Sequence, residues 1–516
     1  MDEAAQRRKG DEATREMLDS RATYTQPAGD LETKIFLSTV KITDHLTGGD
    51  YPHSYGIGEC RREPRYARQP DMCNRTMPDG RRACIRIGSS MWGEGVAGNE
   101  FEVARDEDLM AAGWKRSPDS PAVWTLGTAV MIIIIDDMLI KSPDKSFGPR
   151  AFSVLSKLAE KRGGDAIKIT AEPTHWGGLA IKRKGATTTI SQPVHWHNAV
   201  AKWLPELLVN PRKLPEHVPQ GRTLKRALDN LKLKDMAPGE RTTKEQKDAM
   251  RICGDLRWLL RTSLKITKAV HMLSCVMARP PDGAREAALG VLAEGYLSTL
   301  DGTDGQITYG TSDGRAPSPL SGTLKGSMDS ARGASIATVH GEALIAQGAP
   351  PELAGASDAS WSLGVIGDDD VYAYGLTHNG GVVFLELKKI NLILGSSMLT
   401  EGHGMLKLSD RTLHARNLLE SCGEPQTEPT LIASDNQPSL RAAGGEASVV
   451  RVKHALRWYA ILQQRVRCRE IRLAYIPDAW NYVDFLTKWI DVSKVAFSVA
   501  YLSNAAARLE TDGSAD

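Results

Sequence analysis

Two adjacent aspartates, Asp136 and Asp137, interrupt an otherwise apolar stretch, TAVMIIIIDDMLIKS (Thr128–Ser142). Neighbouring carboxylates repel each other, and a divalent cation between them relieves the repulsion. Far along the chain, Asp358, Glu401, Asp435 and Asp484 fall one each on four predicted elements. If folding gathers these four, they cannot all stay ionised in a packed site without cations. Two Mg²⁺ ions about 4 Å apart resolve that conflict, activate water and stabilise the leaving oxygen in phosphodiester cleavage. Magnesium takes carboxylate oxygens and keeps its waters, so no His or Cys is required; Mn²⁺ is the alternative ion. Plainer readings stand beside these. Asp is a favoured turn residue, and the other four are acids among sixty-three.

The elements that must position these groups follow from hydrophobic patterning. β-branched residues up to Ile135 and a second apolar run at Met138–Ile140 predict a strand–turn–strand hairpin with the two aspartates at its turn. In the C-terminal part, Ala354–Trp361 reads as a strand with Asp358, and Val371–Leu376 and Gly381–Leu387 as a hairpin joined by HNGG. Ser397–Leu419 is a predicted helix with Glu401, although Gly402 and Gly404 each disfavour it by about 1 kcal/mol. Thr430–Ser434 is a strand ending at Asp435, Lys453–Val466 a helix, Ile471–Ile476 a strand and Asn481–Trp489 a helix with Asp484. Between hairpin and C-terminal part, Thr243 and Gln246 suit a capping box that opens a run of amphipathic helices. Ile35–Ile42 reads as a strand, and Gly310–Pro350, rich in Gly, Ser, Ala and Pro, as a linker.

At 516 residues, 41% apolar and 25% charged, the chain has the composition of a globular protein of two to four domains. A net charge of +2 provides no global field for nucleic acid, so any basic surface must be local, as in the KRKG turn and the Arg212–Lys234 stretch. That stretch reads equally as a solvated helix face. Seven cysteines without a CxxC pair suggest free thiols in a reducing, intracellular compartment, cytoplasmic or nuclear. Cys60, Cys73 and Cys84 fit no zinc template, and His195 and His197 lack a third ligand. The apolar runs are too short to cross a membrane, and no membrane partner is expected.

The C-terminal segment resembles the ribonuclease H domain of copia-like retrotransposon Pol polyproteins. The residues that carry the likeness are SDASW (Ser357–Trp361), LKK with LGSS and TE (Leu387–Glu401), SDNQ (Ser434–Gln437), KHALRWY (Lys453–Tyr459) and YIPDAWNYVDFLTK (Tyr475–Lys488). They stand in the family's order. The resemblance implies that Asp358, Glu401, Asp435 and Asp484 are catalytic and metal-binding. It departs from the family's TEAEY at TEGHG, where His403 replaces a second acid. Upstream, IIDDMLI (Ile134–Ile140) is similar to the family's YVDD hairpin, which implies a catalytic, metal-binding role for Asp136 and Asp137. Ser89–Phe101 resembles SLYGLKQAPRQW with Val96 in place of Gln, Pro173–Arg183 resembles the strand pair after the palm, and the helices from Thr243 lead to a family-like TYG at Thr308–Gly310.

The resemblance therefore implies an α/β chain in a fixed order. A polar tail (1–34) precedes a truncated reverse transcriptase fingers/palm-like α+β domain (35–240). A helical thumb/connection-like segment (241–310) and a linker (311–350) follow. A ribonuclease H-like mixed sheet with flanking helices (351–502) and a tail (503–516) complete it. The implied function is a retrotransposon hydrolase and nucleotidyltransferase that cleaves RNA in RNA–DNA hybrids. An RNA template, a DNA primer and deoxynucleotides are the partners of its polymerase half. Counting back from Asp50, Lys41 stands where the family has its first palm aspartate. An ammonium there repels Mg²⁺ and is expected to pair with Asp136, which implies a weak or absent polymerase. The alternative is a catalytically dead transposon remnant that only binds nucleic acid through the basic segments.

Overall fold

The computed structural model describes residues 28–52, 65–68, 84–87, 97–233, 241–310, 324–327, 337–339, 352–361, 370–392, 394–446 and 456–507. Cys60, Cys73, the Ser89–Val96 part of the palm-like stretch, Lys234 and the Lys453–Ala455 start of the KHALRWY motif lie outside them. The chain divides into two compact units, Met1–Glu32 with Thr43–Gly177, and Thr33–Ile42 with Gly178–Asp516.

In the first unit, strands β4 (Lys115–Arg116), β5 (Val123–Leu126), β6 (Ala129–Ile134), β7 (Asp137–Ser142), β1 (His45–Asp50) and β8 (Lys168–Ala171) lie side by side in that order. Every neighbouring pair is antiparallel. Arg65–Arg68 (β2) and Cys84–Ile87 (β3) form a separate antiparallel pair, and β9 (His175–Trp176) is the unit's last strand. Met131, Ile133, Met138 and Ile140 enter a core with Phe101 of one helix (Ala97–Ala111) and Phe152 and Leu155 of another (Phe147–Lys161). Ile132 and Leu139, which alternate with them, are buried as well. The central hairpin is thus covered on both faces, which is why its sequence runs apolar without alternation.

The second unit begins with a correction. Ile35–Ile42 is not a strand: Asp30–Ser38 is a helix, α1, with Asp30 and Glu32 in its first turn. A short apolar run has no periodicity of its own to separate strand from helix, and acids at the N-terminus of the helix favour it through the macrodipole. Further helices are α2 (Ala97–Ala111) and α3 (Phe147–Lys161) of the first unit and, in the second, α4 (Pro193–Trp203), α5 (Glu206–Val209), α6 (Gly221–Asp229), α7 (Lys244–Leu259), α8 (Thr267–Val276) and α9 (Ala284–Leu300). The latter six share a core with Trp196, Leu207, Leu224, Leu256, Leu273 and Leu292. The capping box forms at the start of α7: Thr243 Oγ1 accepts from Gln246 N at 3.2 Å, and Gln246 Oε1 accepts from Thr243 N at 2.9 Å. β10 (Leu179–Lys184), β11 (Thr187–Ser191) and β12 (Gln306–Tyr309) pair antiparallel.

The C-terminal sheet has the order β13 (Leu324–Ser327), β14 (Ala337–Val339), β19 (Ile471–Tyr475), β18 (Thr430–Ser434), β15 (Ala354–Ser360), β16 (Val371–His378), β17 (Gly381–Lys389). β15, β16 and β17 form an antiparallel meander, while β15, β18, β19 and β14 run parallel. Asn379 and Gly380, both at positive φ (49° and 85°), make the tight turn between β16 and β17 that their sequence announces. The stretch read as a linker contributes β13 and β14 to the sheet edge. Its small residues suit an edge strand no worse than a loop, so composition alone could not separate the two. Helices α10 (Ser397–Ser421), α11 (Gln437–Ala443), α12 (Leu456–Arg467), α13 (Asp484–Thr487) and α14 (Val492–Ser503) complete the unit.

Candidate carboxylate site

Parallel pairing in the C-terminal sheet sets the position of two acids. Ala354, Gly355 and Ala356 of β15 stand opposite Leu431, Ile432 and Ala433 of β18. Continuing that register by two residues brings Asp358 level with Asp435, and the period of two points both to the same face. Glu401 comes from the second turn of α10, whose first turns are closed by Ser396 O accepting from Leu399 N at 3.0 Å and Thr400 N at 3.2 Å. Gly402 allows this approach: a Cβ there would overlap the hydroxyl of Tyr459 on α12. That hydroxyl donates to Met398 O at 2.9 Å. The residue that weakens α10 as an isolated helix is therefore needed for its packing.

Carboxylate oxygens of Asp358, Glu401 and Asp435 lie within 4.8 Å of one another, and so do those of Asp435, Asp478 and Asp484. Asp435 belongs to both groups. The fold thus brings together all four C-terminal acids singled out in the sequence and adds Asp478, which sequence reading missed. Its only signal was its place in YIPDAWNYVD, six residues before Asp484. The predicted helix Asn481–Trp489 is shorter than expected: a 3₁₀ turn spans Asp478–Trp480, and α13 begins at Asp484 itself.

Asp358 is fully buried, Asp484 1% and Glu401 5% exposed. Burial pushes Asp358 up to about 7, with Asp484 and Asp435 adding repulsion against the opposing pull of Lys488. Burial also raises Glu401 well above the ordinary carboxylate range, with Asp358 and Asp435 adding to it. Asp435 is raised for the same leading reason. Two lysines answer this charge. Lys488 Nζ lies 3.2 Å from Asp358 Oδ1 and 3.0 Å from Asp484 Oδ1. Burial lowers the Lys488 pKa, but Asp358 and Asp484 outweigh it and hold the group above its usual value. Lys494 donates to Asp484 Oδ2. Thr487 Oγ1 donates to Asp358 Oδ2, and Ala359 N donates to Glu401 Oε1 at 3.3 Å.

Glu401 Oε2, buried, has no hydrogen-bond partner. An orphaned carboxylate oxygen among several others is a set of hard donors that fits Mg²⁺ or Mn²⁺ and offers nothing to soft metals. His403, where the resembling family carries an acid, does not join the cluster. Its ring lies edge-on between Tyr372 (5.2 Å) and Trp458 (5.1 Å), and burial lowers its pKa.

The first unit holds a second, more open group. Ile135, at φ 55°, and Asp136 form the turn between β6 and β7, a left-handed conformation costly for a β-branched residue. Arg105, itself buried, donates to Ile135 O at 3.0 Å and to Asp106 Oδ1 at 2.7 Å. Asp50 at the end of β1 stands opposite Asp137. Burial first, then Asp136 and Asp50, push Asp137 up to about 6, and Asp136 is likewise raised by burial. Among the described residues these three acids do not close to the 4.8 Å of the C-terminal groups.

The Lys41 ammonium pairs with Glu424 Oε1 at 2.8 Å, within the second unit. The third acid at the hairpin is Asp50, which the sequence reading used only as a counting mark. Strand β1 starts at His45, so the residue level with the turn is its last one, and Lys41 precedes the strand altogether. Near the histidine pair, α4 starts at Pro193 with His197 exposed and His195 half-buried. Among the described residues neither joins a metal-ligating group. The Arg212–Lys234 stretch is in part α6, with Leu224 and Leu228 buried and Arg222 and Lys225 exposed.

No helix among the described residues is long and apolar enough to cross a membrane. No protein-family profile matches the chain, and no curated protein matches it. Among solved structures, part of the chain is similar to LC11-RNase H1 in complex with an RNA/DNA hybrid. Identity is 12% over 26% of this chain and 93% of that one, with a TM-score of 0.21. It is also similar to the N-terminal RNase H domain of Rv2228c from Mycobacterium tuberculosis, solved as a fusion with maltose-binding protein. There the identity is 14% over 31% of this chain and 99% of that one, with a TM-score of 0.20.

Proposed function

We propose that the C-terminal part of the chain is a ribonuclease H-like nuclease that hydrolyses phosphodiesters of RNA in RNA–DNA hybrids. The supporting observation is the meeting of Asp358, Glu401 and Asp435, each from a different element, within 4.8 Å, with Asp484 joined to Asp435 in an overlapping group. Such a concentration of buried carboxylate is unfavourable for the chain by itself. Asp358, Glu401 (through Oε2) and Asp435 are the groups that would hold one divalent cation, and Asp435, Asp478 and Asp484 a second. When bound, such ions supply an activated water and neutralise charge developing on the leaving oxygen. The residues themselves do the rest. Asp358 anchors the floor through Thr487 and Lys488, and Lys488 orients Asp358 and Asp484 toward each other.

In this reading the chain derives from a copia-type reverse transcriptase–ribonuclease H, with the first unit as the palm. Asp50 opposite Asp137 supports it, as a third acid beside the two of the hairpin. Cleavage of a labelled hybrid with Mg²⁺ tests the nuclease. Asp435→Asn is expected to lower the rate at least about a hundredfold, about 2.7 kcal/mol of transition-state stabilisation. Cleavage that survives the substitution removes the assigned site, and an inactive parent chain leaves the nucleic-acid-binding remnant. Primer extension on an RNA template tests the palm. Synthesis abolished by Asp136→Asn supports it, and no synthesis by a chain that cleaves hybrid confines activity to the nuclease.

A further inference from the structure

Within the second unit, α6, α8, the loop after α13 and helix α14 enclose a cavity of about 600 Å³. Its size is that of small-molecule sites, roughly 300–1,000 Å³. The floor is apolar, with Leu224, Leu228, Ile266, Phe485 and Val499 among its residues. Its charged lining is mostly cationic: Arg222, Lys225, Lys265, Lys268 and Lys488, against the acids Glu294 and Asp301. Lys265 is met by Glu294 at 3.6 Å and Lys488 by Asp358 and Asp484, which leaves Arg222, Lys225 and Lys268 to face a ligand.

The end with Lys225 and Lys268 is organised around Trp489. The ammoniums of Lys225 and Lys268 lie 5.3 and 4.6 Å from its ring centroid, and its Nε1 donates to Asp229 Oδ1 at 2.9 Å. Cation–π contact helps to hold two flexible ammoniums in place, with Asp229 acting on Lys268 from beside the same ring. The cavity also abuts the carboxylate cluster. Lys488 lines it and contacts Asp358 and Asp484, and Lys268 donates to Thr487 O at 3.0 Å. An apolar floor beneath separated cations suits a ligand with an aromatic body and an anionic edge.

We infer that this cavity is a nucleotide subsite that takes one unpaired ribonucleotide of the substrate strand, its base on the apolar floor and its phosphate on Lys225, Lys268 and Arg222. The inference rests on the nuclease reading for the strand's identity but not for its test. The subsite holds a single-stranded residue beside the cluster, so it adds affinity for strand ends and unpaired flanks as well as for duplex. Base burial provides the part that is independent of salt; the cations provide the part that falls with salt.

The experiment measures binding of a fluorescent, 5′-phosphorylated tetraribonucleotide to the full chain without divalent metal, by anisotropy against salt. Arg222 and Lys225 are exposed on α6, so Lys225→Glu and Arg222→Gln leave its buried face intact. Lys225→Glu is expected to weaken binding about tenfold and to reduce the magnitude of the log–log salt slope by about 0.7, one single-strand phosphate contact. An abasic analogue of the same length is expected to bind more weakly than the tetranucleotide. Unchanged affinity in Lys225→Glu, or equal affinity for the abasic strand, overturns the subsite. If the chain cleaves hybrid while Lys225→Glu binds normally, the subsite falls and the nuclease stands. If the variant loses binding but the parent never cleaves, the nuclease falls and the subsite stands.

Discussion

Replacing Asp358 with Asn should stabilise the metal-free protein at neutral and alkaline pH while destroying its response to Mg²⁺. Asp358 is fully buried, and its carboxyl titrates near 7 instead of the ordinary 3.8. A gap of that size corresponds to about 4 kcal/mol against the ionised form. Because the folded value is raised, the contribution to stability is fully present below about pH 4 and is lost as pH climbs through about 7. Asn carries no charge and so escapes the loss. It also forfeits the charge-assisted contact with Lys488, which retains Asp484 at 3.0 Å. The value of about 7 already includes the pull of Lys488, so a net gain of about 4 kcal/mol is expected at pH 8. Asp358 and Glu401 influence each other's titration, so the gain should spread over a broad pH range. The assay is urea denaturation in EDTA at pH 4.5, 6 and 8, repeated with saturating Mg²⁺. Magnesium at a hundred times its dissociation constant should stabilise the parent by about 2.7 kcal/mol, and the variant far less. A variant less stable than the parent at pH 8 in EDTA, or a difference that does not change with pH, would refute the electrostatic reasoning.

Other expectations are more local. Asp50→Asn removes one of the two charges acting on Asp137, so the Asp137 carboxyl should titrate below its present value of about 6, though burial keeps it above the ordinary range; an NMR titration that shows no change separates Asp50 from the hairpin site. Gly402→Ala improves helix propensity but drives a methyl into Tyr459; a net loss of about 1–3 kcal/mol is expected, and increased stability would mean that α12 yields at no cost. Thr243→Ala removes the acceptor for Gln246 N and should destabilise the helical part of the second unit by about 1 kcal/mol in thermal unfolding, with Thr243→Ser restoring it.

Residues with strong local rules announced themselves. The apolar run that ends in two aspartates had to be a buried strand pair, Asn379–Gly380 had to be a tight turn, and Thr243 with Gln246 had to open a helix, because each rests on neighbours a few positions away. Four acids stood in the sequence order of successive elements, but their order does not bring them together. Parallel pairing of β15 with β18 sets Asp358 level with Asp435, and the packing of α10 under Tyr459 adds Glu401. Asp478, Asp50 and the Lys225–Trp489–Lys268 stack were invisible for the same reason: their chemistry depends on register and on contacts between segments distant in the chain. Lys41 shows the limit from the other side. Counting along the chain assumed that Lys41 belongs to the strand, but β1 starts only at His45, and the Lys41 ammonium pairs with Glu424.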